Sequence, residues 1–271
     1  MIPLSSIKKE QNQVKQLCID LNCDIGQSFG VYRNDLEFSL LPYVSSVNIS
    51  CGCHAGDPTT IMSALKIAKE HNLAIGAHIG YPDIQGFGYR SMKLSDEELQ
   101  ATVLYQIGAL SSMAKAYNLV IEHIRPHGAL YKDAATNFEV STSIAKAIAQ
   151  FDKWLIYVGA AGENLNKAGE LADIRVAPEV HLDKKYNFAG SVDFEADGVI
   201  DLQYSIGQLE SLIKDSTLKN NQDGKSRVNF KTIHLSMKSA ISIEIAQKAK
   251  ELIVQPVPIS AALIGNNGWL Q

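Results

Sequence analysis

One pattern constrains this chain more than any other: short β-branched, apolar runs alternate with stretches of helical spacing. The runs are Leu17–Leu21, Ser46–Ser50, Leu73–Ala77, Val120–Ile124, Trp154–Val158, Ile174–Ala177 and Asn229–Leu235. Such alternation argues for a parallel sheet with helices outside it, because parallel neighbours need a crossover between them. Parallel strands buried on both faces should read as apolar throughout, and most of these runs do. No glycine-rich phosphate loop of the G-x-G-x-x-G or G-x-x-x-x-G-K-[ST] form follows any run, which favours a barrel over a dinucleotide-binding sheet. The expected fold is therefore α/β, a parallel β/α barrel with about seven strands. With 271 residues, 46% of them hydrophobic, the chain can bury one large core. Residues 17–271 are expected to form a single domain behind a flexible arm of residues 1–16.

Between the runs, the sequence marks its own helix ends. Asp57 followed by Pro58 predicts an N-cap carboxylate and a first-turn proline, opening a helix to about Glu70. Ser95-Asp-Glu-Glu98 predicts a capping box and a long helix to about Tyr117. Further helices are expected over 36–41, 137–150, 163–171, 199–214 and 239–253. Residues 187–198 read as irregular, 220–227 as a polar, mobile loop, and 256–271 hold too many breakers to assign.

The chemistry concentrates where strands end. Ile121-Glu-His-Ile-Arg-Pro-His-Gly-Ala-Leu-Tyr131 carries a strand into two histidines, an arginine and a tyrosine. Asp24, His54, His78 and His127 each follow a successive strand. Strand C-termini of a parallel barrel open on one face, so these four groups are expected to converge in one pocket as its catalytic residues. Each has a plainer explanation alone: Asp24 as a turn cap, the histidines as satisfied core groups. Recurrence over four successive turns favours the shared site. Asp24, His54 and His78 suit a divalent metal of unspecified identity, which would polarise a carbonyl or acidify a water. The same groups without metal suit general acid–base work. Arg125, permanently charged and forked, suits a substrate carboxylate or phosphate. Tyr131 and Tyr81 are hydrogen-bond donors or packing groups.

Several function classes are disfavoured. The formal net charge is −4 with no basic stripe, so no nucleic-acid partner is expected. No apolar run approaches ~18 residues, so no membrane span is expected. The polar start, Met1–Gln16, lacks the apolar core of a signal peptide. With Cys18, Cys23, Cys51 and Cys53 its four cysteines, the chain reads as reduced and cytoplasmic. Cys51 and Cys53 are spaced C-x-C without a second pair to complete a zinc site, and read as small thiols at strand ends.

Taken together, these loops resemble the LamB/YcsF family, that of the A subunit of bacterial 5-oxoprolinase. The matching stretches are Asn22-Cys-Asp-Ile-Gly26, Ser28-Phe-Gly30, Asn48, Cys51-Gly-Cys-His-Ala-Gly-Asp-Pro58, Gly76-Ala-His-Ile-Gly-Tyr-Pro-Asp83, Gln85-Gly-Phe-Gly88, Tyr105-Gln-Ile-Gly-Ala-Leu110 and Arg125-Pro-His-Gly-Ala-Leu-Tyr131. The likeness covers residues 18 to 200 and weakens beyond. It implies a distorted barrel of the glycoside-hydrolase/deacetylase kind. It also implies ATP-dependent opening of the lactam ring of 5-oxoproline to L-glutamate, with separate B and C subunits; a homo-oligomer is also compatible. The chain has no phosphate loop of its own, so ATP would be used through the complex. Asn22, Asn48, Arg125 and Tyr131 would contact substrate. Four positions depart from the family pattern: Gln27 for a usual glutamate, Arg125 for lysine, Cys53 for phenylalanine, and Leu235-Ser236 after His234 for Gly-Asp. Loss of two acids leaves room for a catalytically weakened ligand-binding paralogue. A metal-dependent deacetylase or amidohydrolase on a small carbohydrate or amide is the other alternative.

Overall fold

The computed structural model describes residues 19–34, 36–196, 198, 201–237, 240–253 and 256–259. Seven parallel strands close into a barrel: β1 (Asp20–Ile25), β2 (Ser46–Ser50), β3 (Ala74–Ile79), β4 (Ile121–Pro126), β5 (Ile156–Ala160), β6 (Val176–His181) and β9 (Thr232–His234), with β9 returning to pair with β1. Helices α1 (Pro58–Glu70), α2 (Asp96–Lys115), α3 (Gly128–Thr136), α4 (Phe138–Phe151), α5 (Glu163–Ala172), α6 (Leu202–Asp215) and α7 (Ala240–Ile253) fill the connections. The distorted α/β barrel implied by the sequence is the observed fold. Among the described residues, no helix is long and apolar enough to cross a membrane.

Strands β1 and β2 alternate apolar and polar residues with period two. Leu21, Cys23 and Ile25 of β1, Val47 and Ile49 of β2, and Ile75, Ala77 and Ile79 of β3 join the main apolar cluster with Ile61, Leu65, Val103, Ile107 and Ile148 of the helices. Residues between them point inward and are polar: Asp20, Asn22 and Asp24; Ser46, Asn48 and Ser50; Thr232 and His234. The expectation of strands apolar on both faces therefore holds for β5, whose Ile156 and Val158 cluster with Ala177 apart from the outer core, while in β1, β2 and β9 one face is a hydrogen-bonded polar column that leads to the site.

Helix starts follow their signals. Asp57 accepts from the Thr60 amide at 2.8 Å and caps α1, and Ser95 with Glu98 forms the capping box of α2. Several boundaries are corrected. β1 runs to Ile25, so Asn22 and Asp24 lie on the strand rather than in the loop after it; β3 and β4 likewise include His78 and Arg125. The expected helix over 36–41 is a set of turns ending in a 3₁₀ turn at Leu41–Tyr43. α3 was unexpected, because Pro126 and Gly128 read as breakers. Gly128 instead starts α3 at φ +52°, where an added Cβ would lie 2.6 Å from the Gly88 carbonyl oxygen. The loop expected over 220–227 lies within a hairpin, β7 (Thr217–Lys219) with β8 (Lys225–Arg227), whose connection is tied by Asn220 to the amides of Gln222 and Gly224. The arm of residues 1–16, and the tail beyond 259, lie outside the described residues.

Candidate active site

A cavity of about 390 Å³ opens at the C-terminal end of the barrel. Asp24, Arg125, His127, Tyr131, His181 and His234 line its inner part, and Gln27, Tyr89, Lys132, Lys184, Phe194 and Ser236 its mouth. The convergence expected of the first four βα turns is present. His78 Nε2 lies 3.3 Å from Asp24 Oδ2 and 3.1 Å from His127 Nδ1, and the His54 ring stacks on His127 with centroids 4.1 Å apart. His54 and His78 are fully buried behind the lining.

The centre is ionic. Arg125, 4% exposed, reaches both ways across the barrel. Its Nε and Nη2 donate to Glu179 at 2.9 and 2.8 Å, and Nη1 donates to Asp24 Oδ1 at 3.2 Å. Burial alone would push both carboxyls up. The guanidinium instead holds Glu179 down to about 2 and Asp24 well below the carboxylate range. Arg125 is thus already paired with two buried carboxylates. This corrects its expected part as counter-ion to a substrate anion; at the mouth of the cavity Lys132 is paired with the exposed Glu195 at 2.6 Å. Glu179 escaped sequence reasoning, although Pro178-Glu179 sits on the sixth strand as the other site groups sit on theirs. His181 was missed in the same way, and His234 was named only as the remainder of a family motif.

Asn22 and Asn48, expected at the substrate, lie beneath the cavity floor, at 1% and 0% exposure. Asn22 Nδ2 donates to Glu179 Oε1 (3.0 Å) and Thr232 Oγ1 (2.7 Å), while its Oδ1 faces Asn48 Nδ2 and His234 Nδ1, both at 2.8 Å. Asn48 Nδ2 also donates to Asp24 Oδ1 at 2.9 Å, and its Oδ1 lies 2.7 Å from His123 Nε2. With every bond used inside the protein, these amides position the site groups rather than meet a ligand. Space for His123 comes from Gly76, where a Cβ would lie 2.2 Å from the imidazole. Tyr131 lines the cavity as expected, its hydroxyl donating to Glu179 Oε2 at 2.9 Å. Tyr81 is buried and donates to Asp133 at 2.9 Å. Asp57 caps its helix. Cys51 is buried and Cys53 half-buried, both as free thiols.

Burial lowers His127 and His234 to about 3, and His54 well below its ordinary value, which holds these three imidazoles neutral. Neutral imidazoles are what a metal requires, and donor atoms of His54, His78 and His127 lie within 4.8 Å of one another. His54 and His127 are stacked 11° from parallel, so their in-plane lone pairs run side by side instead of meeting. His54 Nε2 lies 3.1 Å from Ser50 Oγ, and its buried Nδ1 has no hydrogen-bond partner among the described residues. Asp24 Oδ2 adjoins this group through His78 Nε2, at 3.3 Å.

Comparison with known proteins bears on the same residues. Residues 19–261 match the LamB/YcsF family. This chain belongs to the LamB/YcsF family. The match extends well past residue 200 to include Glu179's neighbour strand β9 and α7. A protein from Geobacillus thermodenitrificans, named as the A subunit of 5-oxoprolinase, is 41% identical over 233 residues, covering 85% of this chain and 91% of the relative. The protein of the same name from Bacillus subtilis is 39% identical over 236 residues, covering 86% and 92%. The crystal structure of a lactam utilization protein from Thermus thermophilus superposes with a TM-score of 0.83 at 33% identity, covering 90% of this chain and all of that one.

Proposed function

We propose that this chain is the A subunit of a 5-oxoprolinase and opens the lactam ring of 5-oxoproline to L-glutamate in the cavity above Asp24. The observation that carries this is its 41% identity, over nine-tenths of the relative's length, to a protein of that name. The cavity agrees with it. Its volume suits a small ring, Lys132, which the ring's carboxylate can take over from the exposed Glu195, lies at the mouth, and the neutral His127 and His234 below suit movement of a proton. Lactam opening is uphill enough to need coupling to ATP. No phosphate loop occurs in this chain, so ATP is consumed through the complex, with B and C subunits as the partners. The test is glutamate formation from 5-oxoproline with ATP, by this chain alone and with the two partner subunits. Turnover with the partners and none without them is expected; no turnover by the folded, assembled complex overturns the proposal.

One observation favours a second reading, a ligand-binding paralogue with little turnover: Gln27, at the family's usual glutamate position, lines the cavity. That reading predicts 5-oxoproline binding by calorimetry without catalysis, and a gain of rate in Gln27→Glu.

A further inference from the structure

The protonation pattern beside Asp24 follows from one buried carboxylate. Glu179 is ionised and therefore accepts only. The atom of Asn22 that faces Glu179 Oε1 at 3.0 Å must then be its NH₂ group, which also donates to Thr232 Oγ1. Oδ1 of Asn22 consequently faces His234 Nδ1 at 2.8 Å, and an amide oxygen only accepts. The proton of the neutral His234 ring sits on Nδ1, leaving Nε2 bare. That bare nitrogen lies 3.5 Å from Asp24 Oδ2, and both residues line the cavity. On the other side of Oδ2, His78 Nδ1 donates to the Arg125 carbonyl oxygen at 3.1 Å, and His78 Nε2 lies 3.3 Å from Oδ2 and 3.1 Å from His127 Nδ1. Asp24 Oδ2 and His234 Nε2 thus face each other across the cavity wall as two acceptors, with no proton between them. Acceptors held this close need a donor that can serve both.

We propose that Asp24 Oδ2 and His234 Nε2 form the seat of the water that attacks the substrate carbonyl, with Asn22 as the positioning residue that keeps Nε2 unprotonated. This rests on the hydrolytic reading of the same cavity. The water gives one hydrogen to Oδ2 and the other to Nε2, leaving an oxygen lone pair toward the cavity. As that oxygen bonds to the carbonyl carbon, its proton passes to His234 Nε2. When the C–N bond breaks, the amide nitrogen takes up that proton, so one water is consumed as hydroxyl on carbon and hydrogen on nitrogen.

Three measurements test the seat. In chain labelled with ¹⁵N-histidine, long-range proton–nitrogen spectra, with His234 assigned by its loss in His234→Gln, should show the Nδ1–H form. Asn22→Ser, or Asn22→Leu should the first not fold, should shift His234 toward a tautomer mixture. A crystal structure should place a water within hydrogen-bond distance of both Oδ2 and Nε2. In the assembled enzyme, His234→Gln should lower kcat by roughly 10²–10⁴-fold with KM little changed. An Nε2–H tautomer, a dry seat, a metal ion retained there after dialysis, or full kcat in His234→Gln each overturns the proposal. The spectra and the crystal structure need no turnover, so an enzyme inactive on 5-oxoproline would sink the functional reading while leaving the seat to be judged.

Discussion

Arg125→Met would leave Glu179 and Asp24 buried without the cation that pairs them. Three charge-assisted bonds go: two to Glu179 at 2.9 and 2.8 Å and one to Asp24 at 3.2 Å. Removing one partner of a buried pair costs about 3–5 kcal/mol, because the remaining charge stays desolvated. For a chain of this length that corresponds to a fall in Tm of roughly 10 °C. The pH dependence makes the test specific. In the native protein both carboxyls sit below their unfolded values, Glu179 at about 2, so their stabilisation is present above the unfolded carboxylate range and lost as pH falls toward 2. Without Arg125, burial dominates and both folded values rise above the unfolded ones. The variant's folded state then binds protons more tightly than its unfolded state, and its deficit shrinks as pH falls from about 7 to about 5. Urea unfolding followed by circular dichroism at the two pH values measures both terms. A deficit below about 1 kcal/mol near neutrality, or one unchanged on acidification, would refute the ionic account of the barrel centre.

Other consequences are simpler to read. Asp20, pushed up to about 6 by burial among the hydroxyls of Ser45, Ser46 and Thr232, should cost stability as pH rises from about 4 through 6, by up to roughly 3 kcal/mol, and Asp20→Asn should flatten that part of the pH–stability curve. Gly76→Ala drives a methyl group into the His123 ring and should destabilise by roughly 1–3 kcal/mol; the loss should shrink in a His123→Ala background, measured as a double-mutant cycle. Asp57→Ala should cost about 1 kcal/mol in urea unfolding, through the loss of the α1 cap and of the bond to the Gly30 amide.

Much of the barrel could be read from the chain. The strand–helix rhythm located each of the seven wall strands to within a few residues, and Asp57-Pro58 and Ser95–Glu98 marked two helix starts. The alternation Asp20, Asn22, Asp24 against Leu21, Cys23, Ile25 is also written in the sequence. It reads as a strand end because a buried polar face is costly unless its partners are known, and those partners come from other strands. Pro126 and Gly128 look like a break for a related reason: a positive φ at Gly128 and a bond from Ala129 to Gly88 turn the chain straight into α3. Local propensity carries no sign of that distant carbonyl.

By itself the sequence determined the fold class, the family and the four βα turns that supply Asp24, His54, His78 and His127, since periodicity and motifs are properties of neighbouring residues. Tertiary structure alone decided what these groups can do. Arg125 finds Glu179 across 54 residues of sequence, and Asn22 finds it across 157. Those two contacts use up the arginine's charge and settle which nitrogen of His234 carries the proton. Charge pairing and hydrogen bonding depend on separation in space, which barrel closure sets and no stretch of chain records.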